Sequence, residues 1–198
     1  EDAWGVSVVC ANGICGDVST RFYRQGSGVP ELERTAEELA GQIVAKLTPV
    51  AIDLDLPVSG EIRMPVVYDA RIDADCASAL ERAQTDPDVP WNKFIIERVA
   101  FKRQISPIEM TLISRYAVMG DLVIVTMPCD TCSALGLKIK RAFSGREVIV
   151  IGYANTYCNY LVPEEDYGKY FETMNARTAR GQADRFVERV IDAVHAAL

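Results

Sequence analysis

Apolar residues recur along this chain with two periods, and the switches between them mark its elements. Val6 to Cys10 is a short apolar run between Gly5 and Asn12-Gly13, which predicts a buried strand. A glycine-rich loop follows, from Asn12 to about Pro30. Beyond Pro30, Leu32, Ala36, Leu39, Ile43 and Leu47 fall at helical spacing and predict a helix over 31–47. Residues 52–56 alternate apolar and acidic, the pattern of a half-exposed strand. Residues 61–68 read as extended, with Pro65 restricting them to a sheet edge or a bulge.

The second half is denser in regular structure. Helices are predicted over 73–84 and 91–104, separated by a turn at Asp86-Pro87-Asp88. Residues 109–119 and 122–127 are rich in β-branched side chains and flank Gly120-Asp121, which predicts a hairpin. A helix over 130–143 is expected to stop at Gly145. Val148 to Ile151 reads as a fully apolar strand, 154–163 as irregular, and 164–174 as a short helix. The chain ends in an amphipathic helix with Phe186, Val187, Val190, Ile191 and Val194 on one face. This order predicts an α/β or α+β layered domain, a mixed sheet with helices packed on its outside. No repeat, low-complexity tract or linker divides residues 1–198.

Composition narrows the function. Apolar residues make up 49% of the chain and charged residues 25%, as in a globular domain. A net charge of -7 disfavours nucleic acid as a partner, since phosphate binding needs clustered Lys and Arg. No apolar run reaches the roughly 18 residues of a membrane span. Glu1-Asp2-Ala3-Trp4 has neither the basic start nor the apolar segment of a signal peptide, and no initiator Met is present. The chain is therefore expected to be a processed product or a fragment of something longer. Six cysteines, several in apolar contexts, are expected to be mostly free thiols, which leans toward a reducing, cytoplasmic compartment.

Three loops carry the candidate chemistry, each of them following a predicted strand. In the first, Asn12 to Ser19, glycines allow close backbone approach, and Asp17 and Ser19 either point into a cleft or bond to local amides. In the second, Met127 to Cys132, Asp130 is either a helix N-cap or a metal ligand. Its Cys129 and Cys132 have the C-x-x-C spacing of redox thiols, and a zinc site built with Cys10 and Cys15 is a further option. The third, Tyr153 to Pro163, packs three tyrosines and two asparagines into residues 153–160, either as a satellite core or as a polar site. His195 is the single histidine and reads as a helix-end residue, so this chain holds neither a multi-histidine metal cradle nor a histidine triad.

Together the three loops resemble the neutral ceramidase family. Gly16-Asp17-Val18-Ser19 is similar to that family's Gly-Asp/Asn-x-Ser-Pro loop. Pro128-Cys129-Asp130 followed by Leu135-Gly136 is similar to its Pro-Gly-Glu-x-x-x-x-Leu-Gly segment. Ala154-Asn155-Thr156-Tyr157-Cys158-Asn159-Tyr160, with Pro163 and Tyr167, is similar to its Ala-Asn-x-Tyr-x-x-Tyr run. The resemblance covers essentially the whole chain and implies the C-terminal half of a zinc amidohydrolase domain acting on a lipid amide. It places the metal on Asp130 and Tyr160, with histidines from the missing N-terminal half. It also assigns catalytic roles to Ser19, Asp17 and Tyr170, and substrate contacts to Asn155, Tyr157 and Gly16.

Three positions depart from the pattern. Thr20 stands for a proline, Cys129 for a glycine and Asp130 for a glutamate, whose reach is longer by roughly 1.5 Å. The expected function is a zinc-dependent amidohydrolase completed by a second polypeptide carrying the N-terminal half, whether cleaved from a precursor or separately encoded. The alternative is a non-catalytic binding or assembly subunit of the same fold. A thiol-redox protein using Cys129 and Cys132 comes third.

Overall fold

A computed structural model describes residues 5, 7–46, 51, 55–69, 74–167, 169, 172 and 175–198. Tyr170 lies outside the described residues, as do residues 52–54 of the strand expected over 52–56 and part of the helix expected over 164–174. The elements in chain order are α1 (Val29–Lys46), β1 (Val58–Tyr68), α2 (Ala74–Thr85), α3 (Pro90–Lys102), β2 (Ile108–Met119), β3 (Leu122–Thr126), β4 (Asp130–Thr131), α4 (Ser133–Ala142), β5 (Glu147–Ile151), β6 (Tyr160–Leu161), a 3-10 turn (Glu164–Asp166) and α5 (Gln182–His195).

The fold is a mixed α+β arrangement. Its main sheet has the order β1-β2-β3-β5. β1 and β2 pair antiparallel from Val58↔Val118 to Tyr68↔Ile108. The Gly120-Asp121 turn then folds β3 back on β2, with Met119 opposite Leu122. β3 and β5 run parallel, Val123 beside Val148, and α4 makes the crossover that a parallel pair requires. Pro65 sits in β1, at the sheet edge, where a missing N–H breaks no central ladder.

Burial follows the alternation of the strands. Ile62, Met64 and Val66 turn one face of β1 inward, where they join Leu112, Val123 and Val125. α5 covers that face and packs against α4, with Phe186, Val187, Val190 and Val194 fully buried. The opposite face is polar near β1 and β2. There Glu61 pairs with Arg63 at 2.6 Å and with Arg115 at 2.7 Å. α1 forms as the periodicity predicts and is laced by Arg34 to Glu31 and Glu38, yet none of its residues is buried.

Three expectations change. Residues 7–10 form no strand and are exposed; the first segment meets the sheet later, through the Gly152 N–H bonded to the Asn12 carbonyl at 2.9 Å. α4 begins at Ser133 rather than at Asp130, because the intervening backbone pairs elsewhere: the Asp130 N–H donates to the Asn159 carbonyl and the Cys132 N–H to that of Leu161. Where a helix was expected from Glu164, a 3-10 turn spans Glu164–Asp166 and is tied to α5 by Asp184, which accepts the Glu164 N–H at 2.7 Å. Among the described residues, no helix is long and apolar enough to cross a membrane.

Candidate functional site

β3 and β5 are parallel neighbours, so the loops leaving their carboxyl ends emerge side by side, the usual place for a site in such sheets. These are the second and third loops singled out by sequence. Backbone bonds zip them together: Ala154 N–H to Met127 O at 3.0 Å, Cys129 N–H to Thr156 O at 3.0 Å, and Asp130 N–H to Asn159 O at 2.9 Å. The zipper ends in the short parallel pair β4–β6, where Asp130 is the register partner of Tyr160 and Thr131 that of Leu161. The first loop closes over this seam, its Gly16 N–H donating to the Thr131 carbonyl at 2.9 Å.

Gly16 owes its place to that approach. A Cβ on it would stand 2.5 Å from the Asp130 carbonyl oxygen, so only glycine lets the loop lie flat on β4. Among the described residues, four that are not glycine have positive φ: Cys129 (62°), Tyr153 (56°), Asn155 (69°) and Asn159 (65°). All four fall in the two zipped loops. Asparagine tolerates this region, whereas Cys129 and Tyr153 each cost on the order of 1–3 kcal/mol, and such strain concentrates at functional sites. The glycine that the resemblance expects at position 129 would have met the same backbone without cost.

Asp130 is half-buried and sets a carboxylate in the seam. Its Oδ2 accepts the Tyr157 hydroxyl at 2.9 Å. That bond, reinforced by burial, pushes the Tyr157 phenol up to about 12. Burial, then the charges of Asp130 and Glu172, raises Tyr160 as well. Burial, then the contact with Cys15 (Sγ to OH, 3.4 Å), raises Tyr153. The Cys132 thiol is pushed up to about 12, chiefly by burial and then by Asp17, Glu172, Asp166 and Asp130. One protonated hydroxyl, that of Tyr157, thus bonds the Asp130 carboxylate, and the negative charge there holds the neighbouring Tyr160 in its protonated form.

The other predicted residues have distinct places. Asp17 reaches across to α4, where Oδ1 accepts the Ser133 N–H at 2.6 Å and Oδ2 the Ser133 hydroxyl at 2.9 Å. It caps that helix from a distant loop, the role the sequence offered to Asp130. Ser19 is exposed, and its Oγ accepts the Arg21 N–H at 3.1 Å, a local turn bond. Asn155 is exposed and anchors its loop by donating to Thr126 Oγ1 at 2.9 Å and to the Ile113 carbonyl at 3.2 Å. His195 ends α5 with its ring 4.8 Å from that of Phe143, the helix-end role expected of it.

Sequence reasoning missed Tyr153 and Cys15 as a contacting pair, and Ser133 as the partner of Asp17. Only the tyrosine density of the third loop hinted at the first. An open cleft of about 260 Å³ beside the first loop is lined by Gly13, Ile14, Gly136, Leu137 and Val150, with Ser133 and Lys140 on its polar side. Among the described residues, no group of three or more His, Cys, Asp and Glu side chains is placed to hold a metal ion, the suggested cluster of cysteines included.

No family model matches the chain, and no curated protein does. Among solved structures, neutral ceramidase from Pseudomonas aeruginosa is similar at 21% identity with a TM-score of 0.37, over 42% of this chain and 14% of that one. A second, a ceramidase complexed with C2, is similar at 21% identity with a TM-score of 0.39, over 46% of this chain and 15% of its own. The chain thus spans a small part of the length of these proteins. At such TM-scores the likeness carries no functional argument, which rests instead on the residues of the seam.

Proposed function

We propose that this chain carries one side of a zinc-dependent amidohydrolase site of the neutral-ceramidase type, and that another polypeptide supplies the histidines. The observation that supports it is the β4–β6 pair, which sets Asp130 and Tyr160 in register. In-register neighbours present their side chains on one face, as two oxygen ligands on one metal require. Catalytic zinc takes about three protein ligands, so Asp130 and Tyr160 fit as a partial donor set. The metal would supply Lewis acidity toward an amide carbonyl. Tyr157 orients the Asp130 carboxylate through Oδ2. Tyr153, kept protonated, is a hydroxyl donor for a developing oxyanion. The apolar cleft beside Ile14 is the place for part of an acyl chain. The role of Tyr170 at the reacting oxygen belongs to the same proposal.

The exposed apolar positions of α1, Leu32, Leu39, Ile43 and Val44, support a covering chain. The test is amide hydrolysis by the assembly isolated from its source, with zinc content measured alongside. Tyr160→Phe should lower turnover on the order of 10²–10³-fold, and Asp130→Asn should lower both turnover and zinc content. Ser19→Ala should leave most turnover if water attacks, and abolish it if serine forms an acyl-enzyme. Unchanged zinc and turnover in both Asp130 and Tyr160 variants would reject these ligands.

A second reading, a non-catalytic assembly subunit, is favoured by the way the carboxylates are engaged within the chain. Both Asp17 oxygens are held by Ser133, and Asp130 Oδ2 by Tyr157. It calls for a parent assembly without turnover or bound zinc, in which the same substitutions change only stability and association.

A further inference from the structure

We propose that Cys129 and Cys158 are a disulfide-forming pair, a covalent modification site joining the Asp130 loop to the Tyr160 loop. The two sulfurs lie 2.6 Å apart, with no room for an atom between them. Backbone bonds fix the pair from both sides. The Cys158 N–H donates to Cys129 Sγ at 3.1 Å, the Cys129 N–H to the Thr156 carbonyl at 3.0 Å, and the Asp130 N–H to the Asn159 carbonyl at 2.9 Å. Bond formation therefore asks for a small approach of two side chains and no rearrangement of either loop. The proposal stands whether or not the site takes a metal.

The pairing differs from the one that C-x-x-C spacing suggests. Cys129 and Cys158 belong to the main core, whereas Cys132 packs in a separate cluster with Val162, Tyr167 and Ala176. The conformation of Cys129 adds to the case. At φ 62° glycine would be the unstrained choice, so the backbone does not account for a cysteine there. A sulfur placed against a second sulfur does. Both sulfurs are buried, and the contact with Cys158 together with burial holds the Cys129 thiol protonated, so only a small oxidant reaches the pair and its oxidation is slow.

The oxidant proposed is a peroxide. One sulfur attacks a peroxide oxygen as the thiolate and the O–O bond breaks, the departing hydroxide taking up the proton that the thiol gave up. Water leaves and that sulfur becomes a sulfenic acid. The second sulfur then attacks the first, the S–O bond breaks, and its oxygen departs as a second water carrying the remaining thiol proton. Two electrons pass from the sulfurs to the peroxide, and one S–S bond is made. The product locks the register of β4 on β6 covalently.

The experiment uses the full chain, reduced and then exposed to hydrogen peroxide, alkylated under denaturing conditions and digested with trypsin. Exposed Cys10 reports that the oxidant was present. The expected result is a loss of about 2 Da, the two thiol hydrogens, and a joined species of peptides 116–138 and 147–169, bonded through Cys129 and Cys158. Cys129→Gly, which suits the backbone at that position, and Cys158→Ala should each abolish the joined species, while Cys132→Ala should keep it. A bond confined to peptide 116–138, or Cys10 oxidised with no joined peptides, would overturn the proposal.

Discussion

Asp130 and Tyr160, remote in sequence, are direct register partners in a parallel pair only two residues long. The pair is short because β4 is bounded by the kink at Cys129 and by the start of α4 at Ser133. Its stability therefore depends on what packs against it, above all the first loop.

Gly16→Ala tests that dependence. The added methyl would meet the Asp130 carbonyl oxygen at 2.5 Å and the Thr131 carbonyl oxygen at 2.8 Å, both backbone atoms. Overpacking of this kind costs about 1–3 kcal/mol. Gly13→Ala, in the same loop, has nothing within 4 Å of its new methyl and should stay within about 0.5 kcal/mol of the parent. Denaturant unfolding of the two variants measures the contrast, and equal stabilities would contradict the packing described.

Asp17→Ala should destabilise the chain by about 1 kcal/mol, as loss of an N-cap does. Asp17→Asn keeps one acceptor for the Ser133 N–H and should lose less. Urea midpoints measure both effects. An Asp17 that acted only in catalysis would leave them unchanged.

Tyr157 should ionise late. Its phenol is pushed from 10.0 up to about 12 by the bond to Asp130. Because the folded value is raised, the stabilisation from this bond is fully present below about pH 10 and is lost as pH rises through about 12. The side chain is largely exposed, so the effect on stability is small and its direction is what matters. Phenolate absorbance titrations of parent and Tyr157→Phe should differ by one group titrating near 12. A missing group that titrates near 10 would show the bond to be absent in solution.

The parts of the fold that were legible in sequence are those set by local pattern. Gly120-Asp121 between β-branched runs specified the hairpin, and the apolar face of 186–194 specified α5. Pro65 marked an edge strand because the loss of one N–H is a local fact. The start of α4 was not legible, since its cap comes from Asp17, far away in sequence. Asp130 was read as part of a helix because its own neighbours are helical in pattern, while its backbone partner, Asn159, lies a crossover away. Val6 to Cys10 was read as a strand from hydrophobicity alone, which says nothing about whether a sheet edge is open to it. The three loops that carry the motifs, residues 12–19, 127–132 and 153–160, meet at one seam. The contact of Cys129 with Cys158 stayed hidden behind the nearer Cys132.

The proposed site makes Asp130 and Tyr160 two ligands of one metal. The most direct measurement is anomalous scattering at the zinc edge from crystals of the assembly isolated with its partner chain. The expected result is one zinc peak within about 2.0–2.2 Å of an Asp130 carboxylate oxygen and similarly close to the Tyr160 hydroxyl, with histidine nitrogens of the partner completing the shell. A fully occupied zinc elsewhere, or an intact assembly with no zinc and Asp130 bonded only to Tyr157, would contradict it.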